Sequence, residues 1–105
     1  MNKNPKISII TVAFNSVKTI QDTIESILLQ DYKNIEYIII DAGSSDGTVE
    51  IIKSFGDKIT YFISEPDYGI YDGMNKGIKA ASGDLIGILN SDDFYPNNFI
   101  LSNVA

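Results

Sequence analysis

Four short apolar runs set the terms for this chain: "ISIITVAF" at residues 7–14, "IEYIIID" at 35–41, "ITYFISE" at 59–65 and "LIGILN" at 85–90. They are rich in β-branched and aromatic residues, continuous rather than alternating, and too short to span a membrane, which reads as four strands, the first two of them buried. Between them the period changes. In residues 15–30, Val17, Ile20, Ile24, Ile27 and Leu28 recur at helical spacing behind Asn15 or Ser16 as N-cap. "TVEIIKSF" reads as a short helix ended by Gly56, "IYDGMNKGIKAA" as a helix with Met74, Ile78 and Ala81 on one face, and "PNNFILSNV" as the start of another. Strands alternating with helices imply right-handed crossovers. The expected fold is therefore α/β, a three-layer α/β/α, Rossmann-like arrangement around a mainly parallel sheet. A length of 105 residues makes it one small domain or part of a larger one.

In such sheets ligands bind beyond the carboxyl ends of the strands. The polar residues fall there: Asn15 after the first strand, Asp41 closing the second, Glu65 and Asp67 after the third, and residues 90–93, "NSDD", after the fourth. The composition narrows what they can do. There is no Cys and no His, and all eight basic residues are Lys, against fourteen acidic ones, for a formal charge of −6. That excludes disulfides, thiol nucleophiles, zinc sites of the usual N/S type and a histidine base, and leaves carboxylates to carry any chemistry. The negative charge sets nucleic acid and anionic membrane aside as direct partners. Without Arg, a phosphate has to be met by Lys, backbone N–H groups or a metal ion. The start, "MNKNPKISIITVAF", is neither a signal peptide nor a transmembrane segment, which makes the cytoplasm the expected compartment.

Adjacent Asp92 and Asp93 at a strand end suit a divalent cation, because Mg²⁺ and Mn²⁺ prefer oxygen ligands and share their shell with substrate phosphates. The bland alternative is a loop that solvates its own charge. Asp41, one residue past an apolar strand, is placed to accept a hydrogen bond from a ribose hydroxyl or a base N–H. Asp46 or Ser45 reads instead as an ordinary N-cap. In "EPDYGIYDGMNKG", Asp72, Asn75 and Lys76 together suit a helix entry that closes over a phosphate or sugar, while Gly73 and Gly77 are equally well explained by close approach of the helix to the sheet. No G-x-G-x-x-G follows the first strand and no P-loop motif occurs. A calcium loop starting at Asp41 fails, with Asp46 and Ile52 where Gly and Glu are required.

The set "ISIITVAFN", "IIIDAGSSDGT", "EPDYGIYDGMNKGI" and "GDLIGILNSDD", in that order and spacing, resembles the family 2 glycosyltransferases of the GT-A fold. The resemblance runs from Lys6 to Pro96. It implies a nucleotide-diphosphate sugar donor, usually UDP- or dTDP-linked, Mn²⁺ or Mg²⁺, and transfer with inversion at the anomeric carbon. By the same resemblance Thr11, Ala13 and Asn15 line the base and ribose pocket, Asp41 contacts the uracil, and Asp72, Asn75 and Lys76 border the donor site. Asp92 contacts ribose and metal, and Asp93 the metal. Asn90 stands where the family's D-x-D often begins with Asp. The general base of the family lies in an acceptor-binding half beyond the D-x-D, so residues 1–105 are expected to be a donor-binding subdomain truncated after that region, without catalytic base. An unidentified glycan or lipid-linked acceptor, a role in surface-polysaccharide synthesis and peripheral attachment at the inner face of the membrane are further implications of the resemblance. Two other readings compete: a Mg²⁺-binding, receiver-like signalling module, and a non-catalytic assembly module whose uncovered apolar surface favours a homodimer.

Overall fold

The computed structural model of the protein describes residues 4–66, 70–96, 98 and 100–104, with the backbone alone for residues 70–72, 103 and 104. The chain alternates β1 (Ile7–Ala13), α1 (Ile20–Leu28), β2 (Ile35–Asp41), α2 (Thr48–Lys53), a 3-10 turn (Gly56–Lys58), β3 (Tyr61–Ser64), α3 (Ile70–Ala80), β4 (Leu85–Ile88) and α4 (Ile100–Val104). The four strands form one sheet in the order β3-β2-β1-β4. All three pairings are parallel, with Ile7 opposite Ile35 and Leu85, and Ile38 opposite Tyr61.

The continuous apolar runs have the consequence expected of them, since strand side chains alternate between faces and both faces must be covered. Odd-numbered positions of β1 and β2 (Ile7, Ile9, Tyr37, Ile39) pack against Ile20, Ile24 and Ile27 of α1, Ile52 of α2 and Leu101 of α4. Even-numbered ones (Ile10, Val12, Ile38, Ile40) pack against Met74 and Ala80 of α3 and the following Ala81. Three layers result, and each isoleucine wholly removed from water contributes about 1.5–3 kcal/mol of transfer free energy. Gly77 is the contact point of α3 with the sheet. A Cβ there would stand 2.4 Å from Ile10 Cγ2, so the packing explanation of this glycine holds.

At the amino ends of the strands, Glu36 anchors a polar knot. Its carboxylate accepts the Ser8 hydroxyl, the Ser82 backbone N–H and the Ser82 hydroxyl, each at 2.8 Å, and pairs with Lys6 Nζ at 3.3 Å. Burial pushes its pKa up, but those bonds outweigh it and hold the group down at about 2. Gly83 donates its N–H to Ser8 Oγ, and a Cβ at Gly83 would lie 2.8 Å from the Lys6 carbonyl oxygen. The α3–β4 connection is thus fastened to β1 and β2 before β4 begins.

The structure corrects several local expectations. Helix α1 starts at Ile20, five residues later than Asn15, because Asn15 takes a positive φ of 47° and residues 16–19 form a turn closed by Ser16 O. Neither Asn15 nor Ser16 is its N-cap. β1 stops at Ala13 rather than Phe14, and β3 and β4 are shorter at their ends than the apolar runs that contain them. β4 is an edge strand with Leu85, Ile86 and Ile88 exposed. Among the described residues no helix is long and apolar enough to cross a membrane.

Candidate functional site

Three loops meet at the carboxyl edge of the sheet: residues 14–19 after β1, 42–47 after β2 and 89–95 after β4. Two of them are stitched together by short polar side chains. The Asn15 backbone N–H donates to Ser44 Oγ at 2.8 Å, its amide oxygen accepts the Ser45 N–H at 2.9 Å, and the Ser16 N–H donates to Thr48 Oγ1 at 2.8 Å. The positive φ at Asn15 is what turns both its backbone and its side chain toward residues 44 and 45, and Asn is among the few residues that tolerate it. Asp46 completes the join, accepting from Val17 N–H and from both the N–H and the hydroxyl of Thr48. The Thr48 hydroxyl bond, with the backbone donors, holds its carboxyl below the ordinary range despite some desolvation. The N-cap of α2 is Gly47, with φ of 107°, and the carboxylate of Asp46 serves the first turn from one residue further out.

Asp41 is wholly buried. Its carboxylate accepts four bonds from the protein itself: Gly43 N–H at 3.0 Å, Ser44 N–H at 2.8 Å, Ser44 Oγ at 2.6 Å and Ser64 Oγ at 2.8 Å. It thereby fixes the turn after β2, where Gly43 has φ of 90° and sits against Pro66. Thr11 is likewise buried, its hydroxyl 2.9 Å from the Tyr37 hydroxyl, and burial pushes the Tyr37 phenol well up so that it stays protonated.

Between the loops lies an open cleft of about 760 Å³. Ala13 and Asn15 line it, as does Asp92, so three of the residues singled out in the sequence converge there. Thr11, Asp41, Asn75, Lys76 and Asp93 are not among its walls. Asn75 is exposed on α3, and Lys76 pairs with Glu65 at 2.9 Å. The side chain of Asp72 and residue Asp67 lie outside the described residues. The structure adds walls that were not anticipated. Phe14, 59% exposed, offers an aromatic face, and Lys18 a cation. Asn90 and Ser91, from the stretch already placed at this edge, and Ser16 also line it. The signal for Phe14 and Lys18 was their place just past a strand end, masked because Phe14 falls in the first apolar run and Lys18 in the stretch with helical spacing.

Asn90 also carries a buried Oδ1 that has no hydrogen-bond partner among the described residues. Such orphan acceptors are uncommon in folded proteins and call for a ligand, an ion or water. Next to it in sequence stand the exposed carboxylates of Asp92 and Asp93. Carboxylate oxygens of this kind are the ligands that a hard divalent cation prefers. No group of three or more His, Cys, Asp or Glu that could hold a metal occurs among the described residues, so the remaining positions of such an ion would fall to water and ligand oxygens.

Comparison with known proteins agrees with this architecture. The profile of the family described as "Glycosyl transferase family 2" matches residues 8–104. The chain is 44% identical over 94 residues to an uncharacterized glycosyltransferase of Mycobacterium tuberculosis, covering 89% of this chain and 36% of that one. It is 42% identical over 95 residues to one of Rickettsia typhi, covering 90% and 30%. The chain thus spans about a third of the length of these relatives. Among solved structures, residues 1–349 of Staphylococcus aureus TarS in complex with UDP-GlcNAc superpose with a TM-score of 0.87 at 26% identity, over 94% of this chain and 30% of that one. The mannosyltransferase PcManGT of Pyrobaculum calidifontis, in complex with GDP-Man and Mn²⁺, shares the fold, with a TM-score of 0.88 at 22% identity over 97% and 32%. Sequence profile, relatives and three-layer sheet agree, and the chain belongs to the family 2 glycosyltransferases.

Proposed function

We propose that this chain is the donor-binding half of an inverting glycosyltransferase: it holds a UDP- or dTDP-linked sugar in the cleft at the carboxyl edge, with Mn²⁺ or Mg²⁺ on Asp92 and Asp93. The observation that carries the reading is that Asp92 and Asn90, from the loop after β4, both line a cleft large enough for a nucleotide. That TarS is known in complex with UDP-GlcNAc supports the ligand class.

When bound, the divalent ion supplies Lewis acidity to a leaving diphosphate. The chain's own residues do the rest of the binding. Phe14 offers a flat apolar face for the base, with Asn15 and Ala13 beside it in the lining of the cleft. Lys18 brings positive charge to a phosphate in the absence of Arg. Asp41 acts at one remove, by fixing the loop against which Asn15 is bonded. Asp72, Asn75 and Lys76 stay assigned to the border of the donor site, with Asn75 and Lys76 on the α3 side. No residue of this chain is assigned as the base that deprotonates the acceptor. The cytoplasm remains the proposed compartment.

The test is a thermal-shift titration. UDP is expected to raise the melting temperature only with Mn²⁺ or Mg²⁺ present, and Asp92→Ala and Asp93→Ala are each expected to abolish the shift. Equal melting curves with and without UDP and metal would sink the reading.

A further inference from the structure

The loop that carries Asp92 and Asp93 is held by a row of hydroxyls on one side of α1. Thr23 and Ser26 share one face of α1, continued by the N-cap Thr19 and by Ser16 in the turn before the helix. Ser16 Oγ lies 2.5 Å from Ser91 Oγ. Thr19 Oγ1 donates to the Ser91 carbonyl at 2.7 Å, and Ser26 Oγ accepts the Tyr95 N–H at 3.0 Å. Thr23 is wholly buried. Its hydroxyl, with one proton to share, lies within hydrogen-bond reach of the Ser91 carbonyl at 3.0 Å and of the Asp93 carbonyl, the two that flank Asp92. The alternate residues Asp92 and Phe94 are exposed.

This stripe does more than fill a helix–loop interface with polar atoms. Buried Thr hydroxyls in a helix normally turn back onto the carbonyl four residues earlier. That bond is here the longest of the three at Thr23, 3.3 Å to Thr19 O. Two neighbouring carboxylates in a loop repel each other and, left alone, would move apart into solvent. A site built on a loop binds well only where that loop is already fixed.

We propose that Thr23, seconded by Thr19, is a positioning residue: its hydroxyl presets the backbone around Asp92 so that Asp92 and Asp93 meet the divalent cation and the sugar nucleotide without reordering. The inference rests on the donor-site reading given above, but the preset backbone is measurable without any ligand. The experiment compares wild type, Thr23→Val, Thr23→Ser and Thr19→Val by two measurements well below the melting temperature. Hydrogen exchange of the ligand-free protein is expected to accelerate at residues 92–94 in Thr23→Val and to return towards wild type in Thr23→Ser. Mn²⁺ titration in the presence of UDP, followed by electron paramagnetic resonance, is expected to weaken about 10-fold in Thr23→Val, in keeping with losses of outer-shell partners, and to recover in Thr23→Ser. Thr19→Val, a milder change at a partly exposed site, is expected to move both readouts in the same direction and carries the test should Thr23→Val not fold. Unaltered exchange at 92–94 overturns the positioning role. So does unaltered Mn²⁺ affinity in a variant whose melting temperature has fallen, since a merely structural hydroxyl behaves that way. Wild-type protein that binds no Mn²⁺ with UDP, while exchange at 92–94 responds as expected, leaves the preset loop standing and removes the donor-site reading instead.

Discussion

At the scale of single residues, the acidic side chains of this chain divide by what their oxygens are bonded to. Asp41 spends its whole carboxylate on four donors of the chain itself, and Asp46 spends its own on Val17 and Thr48. Asp92 and Asp93 keep theirs exposed. Replacing Asp41 by Asn removes a charge that receives every one of its bonds and turns an NH₂ group toward donors. The expected outcome is a loss of about 3 kcal/mol or more of stability in the ligand-free protein, since hydrogen bonds to charged groups contribute about 1.5–3 kcal/mol each and a buried mismatch adds to the loss. Chemical denaturation of Asp41→Asn without ligand checks this. An unchanged midpoint would mean that the carboxylate serves a ligand rather than the fold. The sequence could point to Asp41 because a carboxylate closing an apolar strand is conspicuous. It could not reveal the four donors, which come from residues 2, 3 and 23 positions away.

Elements show the same division between periodicity and context. The helical spacing of Ile20, Ile24 and Ile27 and the continuous runs in β1 and β2 predict buried faces, and those faces form the core. Element ends are less legible. Asn15 and Ser16 resemble N-caps by type, but their bonding groups are taken by residues 44, 45, 48 and 91, so α1 starts only at Ile20. Local propensity lost to tertiary partners there. The glycines of α3 carried two readings, and at Gly77 the closeness of Ile10 decides for packing. Gly77→Ala gains helix propensity of roughly 1 kcal/mol, but drives a methyl group into a β-branched side chain. Overpacking of this kind costs about 1–3 kcal/mol. The variant is expected to be less stable by denaturant titration, and pairing it with Ile10→Val or Ile10→Ala is expected to recover part of the loss.

For the whole molecule, the sheet has two differently built ends. The carboxyl edge holds the open cleft, while the amino edge is locked by Glu36 with Ser8, Ser82 and Lys6. Because the folded-state pKa of Glu36 lies at about 2, below its ordinary 4.5, the unfolded chain binds its proton first as pH falls. The contribution of Glu36 is therefore complete above about pH 4.5 and is lost progressively towards pH 2. Denaturation midpoints of wild type and Glu36→Gln measured from pH 7 downwards are expected to differ most near neutrality and to converge below pH 3. A constant difference would mean that packing, not charge, accounts for the effect. By itself the sequence determined the α/β alternation, the parallel sheet, the family and the clustering of polar residues at one edge. The alternation, the sheet and the clustering follow from periodicity and from the right-handedness of crossovers, and the family from its four motifs taken together. Only the tertiary structure decided which polar groups remain available there. Burial and hydrogen-bond saturation depend on how the loops close and on what packs over them: Asp41 was consumed by its own turn and by Ser64, Thr11 by Tyr37, Asn90 was left with an orphan oxygen, and Phe14 and Lys18 were brought to the cleft wall.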